Sequence, residues 1–423
     1  MSLESILRIG RRIIPRTLFT AAQPIYHYLL ALSGALAYGF PSRKLFVVLI
    51  TGTKGKTTTA ELVNAVLEGS GKKTALAGTL RFKIGETSKP NPYKMTIRGR
   101  WFLQRFLRDA VRAGCTHAVI EMTSEGAKQF RQKFLSVDAV VFLNISPEHI
   151  ESHGSFENYL AAKLAIARTL AHSKKPHRII VANSDDAHAQ DFFTVARAEK
   201  VPFSIKQAEN LSLTERGSSF SFDNTPITLS IPGEFNVRNA LAALNLGKTL
   251  AIPGPLMAES LARITLVRGR MEYVDAGQPF SVIVDYAHTA DSLENAYGAH
   301  RNARKICVLG STGGGRDQWK RKEMGAVADK HCAEIILTNE DPYDEDPMQI
   351  VNAVKEGVTT KPCHIIMDRR EAIREALKRA HTGDAVYITG KGTDPYIMEA
   401  NGARTPWDDA TVVREELKKL LGH

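Results

Sequence analysis

From Leu45 onward, short apolar, β-rich runs alternate with stretches of helical periodicity: FVVLIT (46–51), TALAG (74–78), HAVIEMT (117–123), DAVVFLNI (138–145) and RIIVANS (178–184). The runs are continuously apolar instead of alternating with polar positions. That predicts strands covered on both faces, as in a mostly parallel sheet flanked by helices. Between about 200 and 233 the pattern shortens to FSFDN and PITLSIPG, which predicts a small antiparallel annex, and a helix is expected at about 236–250. After AIPGPL (251–256), whose Pro and Gly make it the best linker, the alternation starts afresh with SVIVDYA (281–287), KICVLGS (305–311), EIILTN (334–339), CHIIMD (363–368) and AVYITG (385–390). The chain therefore divides into an extension over 1–44, a first α/β domain over 45–250 and a second over 251–423.

A length of 423 residues, 43% of them hydrophobic, is enough for two or three domain cores and excludes a small stapled scaffold. The net charge of +11 favours an anionic partner, and it is unevenly placed. In residues 1–44, Arg8, Arg11, Arg12, Arg16, Arg43 and Lys44 face only Glu4, so +5 of the +11 lies in about a tenth of the chain. No interleaved aromatic and basic motif accompanies the charge, so no specific nucleic-acid partner is expected. Cys115, Cys307, Cys332 and Cys363 lie far apart without a Cys-x-x-Cys pair, which argues against a zinc ribbon or a disulfide framework and for a reduced, cytoplasmic setting. The apolar stretch PIYHYLLALSGALAYGF (24–40) is shorter than the ~20 residues a membrane span needs. With the basic run before it, it suits peripheral contact of residues 1–41 with the inner face of a membrane, or a cover for a flank of the first domain.

The strand FVVLIT runs directly into Gly52-Thr53-Lys54-Gly55-Lys56-Thr57-Thr58 and then into helical sequence. This is the setting of a phosphate cradle. Glycines let backbone N–H groups approach phosphate, the helix N-terminus adds a positive dipole end, Lys56 adds a full charge, and the Thr57 hydroxyl suits Mg²⁺. Ile50 stands where the first Gly of the common P-loop pattern would be.

TGTKGKTTT resembles the ATP loop of the Mur ligase family, and further segments match in order over roughly residues 45–420. These are HAVIEMTSEGA (117–127), LNISPEHIESHG (143–154), ENYLAAKLAIA (157–167), GEFNVRNALAAL (233–244), VRGRME (267–272), VDYAHTADSLENA (284–296), STGGGRDQWKR (311–321), TNEDPYDEDP (338–347) and GKGTDPY (390–396). GEFNV, GRME, DYAHT and GKG resemble the branch that adds the third residue to the UDP-N-acetylmuramoyl dipeptide. The resemblance implies a P-loop, parallel-sheet ATPase domain with its annex, followed by a Rossmann-like α/β domain. It implies an ATP-dependent ligase that phosphorylates an acceptor carboxylate and lets an amine attack the acyl phosphate, acting as a monomer in peptidoglycan precursor synthesis. Folylpolyglutamate synthetase and poly-γ-glutamate-type ligases are the alternatives.

The resemblance also assigns roles. Gly52, Thr53, Lys54, Gly55, Lys56, Thr57 and Thr58 cradle ATP, and Asn239 contacts adenine. Arg270, Asp285 and His288 bring the second domain onto the nucleotide. Thr57, Glu121, His149 and Lys163 serve two Mg²⁺ ions, Lys163 as a carbamate, with Lys56, Lys163, His149 and His288 as the catalytic set. Glu340, Asp341, Pro342, Tyr343, Gly390 and Asp394 fall where the incoming amino acid binds. Diaminopimelate-adding members carry Arg where Tyr343 stands, so strict diaminopimelate specificity is not expected. The acids Glu340, Asp341, Asp344, Glu345, Asp346 and Asp394 suit a cationic amine, or form a merely solvated loop. The family places a UDP-binding domain ahead of the ATP loop, where some forty-five residues stand here. The expectation is that this domain is lacking, and that either another surface holds the nucleotide sugar or the acceptor is a different carboxylate, one presented at a membrane.

Overall fold

The computed structural model describes residues 16–148, 150–300, 302–315 and 317–422. Arg8, Arg11, Arg12 and His149 of the sequence reading lie outside them. Eight strands form the first sheet: β1 (Phe46–Thr51), β2 (Thr74–Ala77), β3 (Arg81–Ile84), β4 (Thr87–Pro90), β5 (His117–Glu121), β6 (Ala139–Phe142), β7 (Ile179–Asn183) and β8 (Glu199–Phe203). Their order is β4-β3-β2-β5-β1-β6-β7-β8, with β1 central and parallel to both β5 and β6. Val47, Val48, Leu49 and Ile50 are wholly buried, as strands covered on both faces must be. Only the β3–β4 edge is antiparallel.

The annex is a three-stranded antiparallel sheet of β9 (Glu209–Thr214), β10 (Gly217–Phe222) and β11 (Thr225–Leu229), whose Phe220, Phe222, Ile227 and Leu229 join the core beneath β1. The helix Glu234–Thr249 follows and packs against the loop helix Lys56–Gly69. AIPGPL does not open onto the second sheet. It leads into the helix Gly254–Ala262, and Ile252, Met257, Leu261 and Val267 belong to the first core. Apolar residues on that helix cover the outer side of Lys56–Gly69, so the chain passes to the second sheet only after Val267.

The second sheet comprises β12 (Glu272–Tyr273), β13 (Ser281–Asp285), β14 (Lys305–Leu309), β15 (Glu334–Leu337), β16 (Cys363–Ile365) and β17 (Ala385–Thr389), in the order β12-β13-β17-β14-β15-β16. All its pairings are parallel except β12–β13. One expectation is corrected here: Cys307 and Cys332 form a disulfide. They are 25 residues apart, yet the helix Lys320–His331 brings the chain back beside β14 so that their Cα atoms are 6.2 Å apart. Residues 16–38 form a helix seated on the helix Arg100–Arg112.

Candidate active site

β1 ends at the C-terminal edge of the sheet, and residues 52–55 turn there into the helix Lys56–Gly69. Gly55 adopts φ 81°, and a Cβ on it would lie 2.3 Å from Asn239 Oδ1, so both the turn and the close approach require glycine. Asn144 holds the loop from the other side. Its Oδ1 accepts from Thr53 N (3.1 Å) and Lys54 N (2.8 Å), and its Nδ2 donates to Lys54 O (3.2 Å). Lys56 Nζ curls over the loop and donates to Gly52 O (3.0 Å) and Thr53 O (2.9 Å). Asn239 is buried, accepts from Thr59 Oγ1 at 3.2 Å and braces the loop through Gly55. Thr58 lines the cleft beside it.

Thr57 Oγ1 donates to Glu121 Oε1 at 3.0 Å, and Thr79 N donates to Oε2 at 2.8 Å. Glu121, at the end of β5, is buried. These two hard oxygen donors beside a phosphate loop fit Mg²⁺, which takes few protein ligands and completes its shell with phosphate and water. No group of three His, Cys, Asp or Glu able to hold a metal exists among the described residues. Lys163, projecting from the helix Phe156–His172, is only 2% exposed, and its Nζ donates to Gly52 O at 2.7 Å and lies 4.8 Å from the Tyr159 ring centroid. Burial, reinforced by the Lys56 charge, pushes its ammonium well below the ordinary lysine range. A snorkelling surface lysine is thereby excluded.

The second sheet roofs this loop. The roof and the loop enclose a cleft of about 1040 Å³. The Arg270 guanidinium stacks on Tyr286, 4.4 Å from its ring centroid, and faces the cleft. Asp285, at the end of β13, accepts from Met271 N and Ala287 N, both at 2.7 Å, and so fixes the turn carrying His288. His288 Nε2 lies 3.2 Å from Glu148 Oε1, which also meets Lys54 Nζ at 3.2 Å. Burial lowers His288 to about 4 despite that carboxylate. His153 is buried, with Nε2 3.2 Å from Ser124 Oγ.

At the far end of the cleft, Asp341 meets Lys391 Nζ at 2.9 Å, accepts from Met398 N at 2.8 Å and is bridged by Lys94 of the first domain, which also lies 3.3 Å from Asp394. Tyr343, with φ 53°, donates its N–H to Met398 O at 3.1 Å, and the Pro342 carbonyl is packed under Gly313. The other acids are mostly committed: Asp344 accepts from Asn401 N (2.7 Å), Glu345 pairs with Arg321 (2.6 Å), and Asp346 caps the helix Pro347–Lys355. Glu340 differs. It is 2% exposed, its Oε1 accepts from Thr312 Oγ1 at 2.8 Å, and its Oε2 has no hydrogen-bond partner. Burial, with Asp341 beside it, pushes it above the usual carboxylate range. Gly390 leaves it room, since a Cβ there would lie 2.2 Å from Oε2.

The sequence reading did not single out Lys94 or a buried cation pair, Arg100 and Arg131. Arg100 donates to Gln129 O and lies 2.5 Å from His27 Nδ1, while Arg131 donates to Gln129 Oε1 at 2.9 Å and to Ile97 O. Neither makes a salt bridge among the described residues, and Arg131 Nε has no partner. Burial and the Arg100 charge bring Arg131 down to about 10. No local sequence signal marks these residues, because most of their partners, His27, Ile97 and, for Arg100, Gln129, come from distant segments.

Comparison with known proteins matches the Mur ligase middle domain to residues 50–247 and the Mur ligase, glutamate ligase domain to residues 269–392. A UDP-N-acetylmuramoyl-L-alanyl-D-glutamate--2,6-diaminopimelate ligase of Syntrophomonas wolfei is 38% identical over 404 residues, covering 92% of this chain and 81% of that protein. A UDP-N-acetylmuramyl-tripeptide synthetase of a Roseiflexus species is 37% identical over 92% of this chain and 82% of its own length. Among solved structures, a UDP-N-acetylmuramoyl-L-alanyl-D-glutamate--2,6-diaminopimelate ligase superposes with a TM-score of 0.61 at 29% identity, over 90% of this chain and 79% of that one. Folylpolyglutamate synthase of Mycobacterium tuberculosis, solved with ADP and AMPPCP, superposes with a TM-score of 0.70 at 15% identity, over 96% and 99% of the two chains, a likeness of fold.

Proposed function

Because this chain belongs to the Mur ligase family, with both domains matched in order, we propose that it adds an amino acid to the carboxylate of a UDP-N-acetylmuramoyl peptide in peptidoglycan precursor synthesis. It is an ATP-dependent, ADP-forming acid–amino-acid ligase that requires Mg²⁺. The observation that carries the reading is the convergence of Lys56, Thr57, Glu121 and Lys163 on one loop beneath Arg270, Asp285 and His288.

The loop N–H groups and Lys56 hold the phosphates, Asn239 steadies the loop below the adenine, and Arg270 meets the phosphate oxygens from the roof. Thr57, Glu121, His149 and Lys163 would hold two Mg²⁺ ions, whose charge would offset that of a γ-phosphoryl group passing to an anionic carboxylate. Lys163, held as a neutral amine by burial, would add to carbon dioxide through its nitrogen, release one proton and so turn from a neutral group into an anionic carbamate. The acceptor carboxylate attacks the γ-phosphorus and releases ADP. The amine then attacks the acyl carbon, and phosphate leaves with the proton that the amine sheds. Closure of the second domain keeps water from the acyl phosphate.

Glu340 with Asp394 receives the amino acid's second, cationic amine beside Pro342, Tyr343 and Gly390. The enzyme works as a monomer in the cytoplasm, at the inner face of a membrane reached through residues 1–41. Phosphate release with Mg-ATP tests the function across lysine, ornithine and diaminopimelate, each crossed with UDP-muramoyl peptides, folates and γ-glutamyl acceptors. Release only with the muramoyl acceptors is expected. Release only with folates would transfer the assignment to the folylpolyglutamate type, and none with any pair would defeat the ligase assignment.

A further inference from the structure

The helix Arg16–Tyr38 has two faces. Ala31, Gly34 and Ala35 are buried against the helix Arg100–Arg112, where a Cβ on Gly34 would come 3.1 Å from Trp101 Cδ1 and where Trp101 Nε1 donates to Ser33 Oγ at 3.0 Å. Ile25, Leu29 and Leu36 are turned to water, 65%, 57% and 60% exposed, with half-buried Leu32 between them. Positions 25, 29, 32 and 36 follow helical spacing, so they form one apolar row about 16 Å long.

Cations lie on the segments that pack against or follow this helix. Arg43 stacks on Phe40 beyond the helix's C-terminal end, 4.3 Å from its ring centroid, and Lys44 is exposed next to it. Trp101, itself 43% exposed, starts a stripe continued at helical spacing by Arg105, Arg108 and Arg112. Tyr28 meets Phe134, whose neighbour Lys133 is exposed. Residues 98–112 hold five arginines against one acid, Asp109, which Arg105 and Arg112 share at 3.7 and 4.0 Å. The cations these elements present among the described residues are Arg43, Lys44, Arg105, Arg108, Arg112 and Lys133, all exposed or half-buried.

An apolar row rimmed by guanidinium groups matches an anionic phospholipid surface, with acyl chains taking Ile25, Leu29 and Leu36 and phosphates taking the arginines. We infer that this composite face docks the protein flat onto an anionic bilayer. The inference rests on the membrane contact of the proposed function and not on its chemistry. No helix among the described residues is long and apolar enough to cross a membrane, and insertion of this one would strip Ala31, Gly34 and Ala35 from their seat. A second copy on the same face would oppose two arginine rims, which disfavours self-pairing.

The test is flotation of the full chain with phosphatidylcholine vesicles, pure or containing about one third phosphatidylglycerol. The chain is expected to float with the anionic vesicles alone, and less as salt rises. The triple variant Ile25→Ser, Leu29→Ser, Leu36→Ser lowers the partition coefficient at least about tenfold. Arg105→Gln with Arg112→Gln lowers it roughly 25-fold, about fivefold for each cation withdrawn. Thermal unfolding like the wild type shows that both variants fold. Equal flotation of wild type and variants, equal binding to neutral vesicles, or a light-scattering dimer broken by the triple variant without vesicle binding would each overturn the inference. Phosphate release without vesicles reports the ligase reading separately and is expected to be unchanged in both variants.

Discussion

Replacing Lys163 by Met removes a buried amine and keeps most of the side chain's volume. Two effects oppose each other. The substitution forfeits the 2.7 Å hydrogen bond to Gly52 O, which is worth about 1 kcal/mol net for a neutral donor. That carbonyl is not orphaned, because Lys56 Nζ still donates to it at 3.0 Å. Against the loss stands a cost of folding: a lysine that is a hydrated ammonium in the unfolded chain must either shed its proton or carry its charge to 2% exposure beside Lys56 and Lys54, at a cost on the order of several kcal/mol. The thioether also remains in contact with the Tyr159 ring. Lys163→Met is therefore expected to stabilise the protein by about 1–3 kcal/mol in urea unfolding while removing acceptor-dependent phosphate release. Lys163→Ala is likewise expected to be inactive, and short-chain carboxylic acids, placed where the carbamate would sit, should restore part of the release. A Met variant destabilised by more than about 2 kcal/mol would refute the energetic argument. Full activity of the Ala variant without added acid would refute the catalytic one.

Gly55→Ala forces a Cβ to 2.3 Å from Asn239 Oδ1 at φ 81°, so nucleotide titration should show ATP affinity reduced at least about tenfold, alongside a stability loss of about 1–2 kcal/mol. His288 takes its proton near 6.5 when unfolded but near 4 when folded, so the unfolded state binds more protons between these values. Stability should fall by up to about 3 kcal/mol as pH drops from 6.5 to 4, and His288→Gln should flatten that part of the urea-unfolding profile. Asp409→Ala leaves Arg369, 1% exposed and paired to it at 2.7 Å, without its counter-charge, and should cost about 3–5 kcal/mol by urea unfolding.

Much of the catalytic end was legible because local sequence carries it. A strand, a glycine turn and a helix form a phosphate loop wherever they occur in succession, and Lys56, Thr57 and Glu121 stand at positions their own strands and helix dictate. The acidic loop was legible only as charge. Asp341, Glu345 and Asp346 are consumed by Lys94, Lys391, Arg321 and a helix end, which leaves Glu340 as the carboxylate with an oxygen to offer. No spacing rule announces such partners, since Lys94 and Asp341 are 247 residues apart.

By itself the sequence determined two α/β cores, the annex, the loop and the concentration of positive charge near the N-terminus, because hydrophobic periodicity and turn chemistry are short-range properties. The tertiary structure decided the rest. It drew Ile252, Met257, Leu261 and Val267 into the first core, joined Cys307 to Cys332, buried Lys163 against Gly52, and set the Arg100–Arg112 stripe beside the apolar row of residues 25–36. Each of these depends on which surfaces meet when the sheets close, and burial, which sets the energy of every charge involved, exists only once they have met.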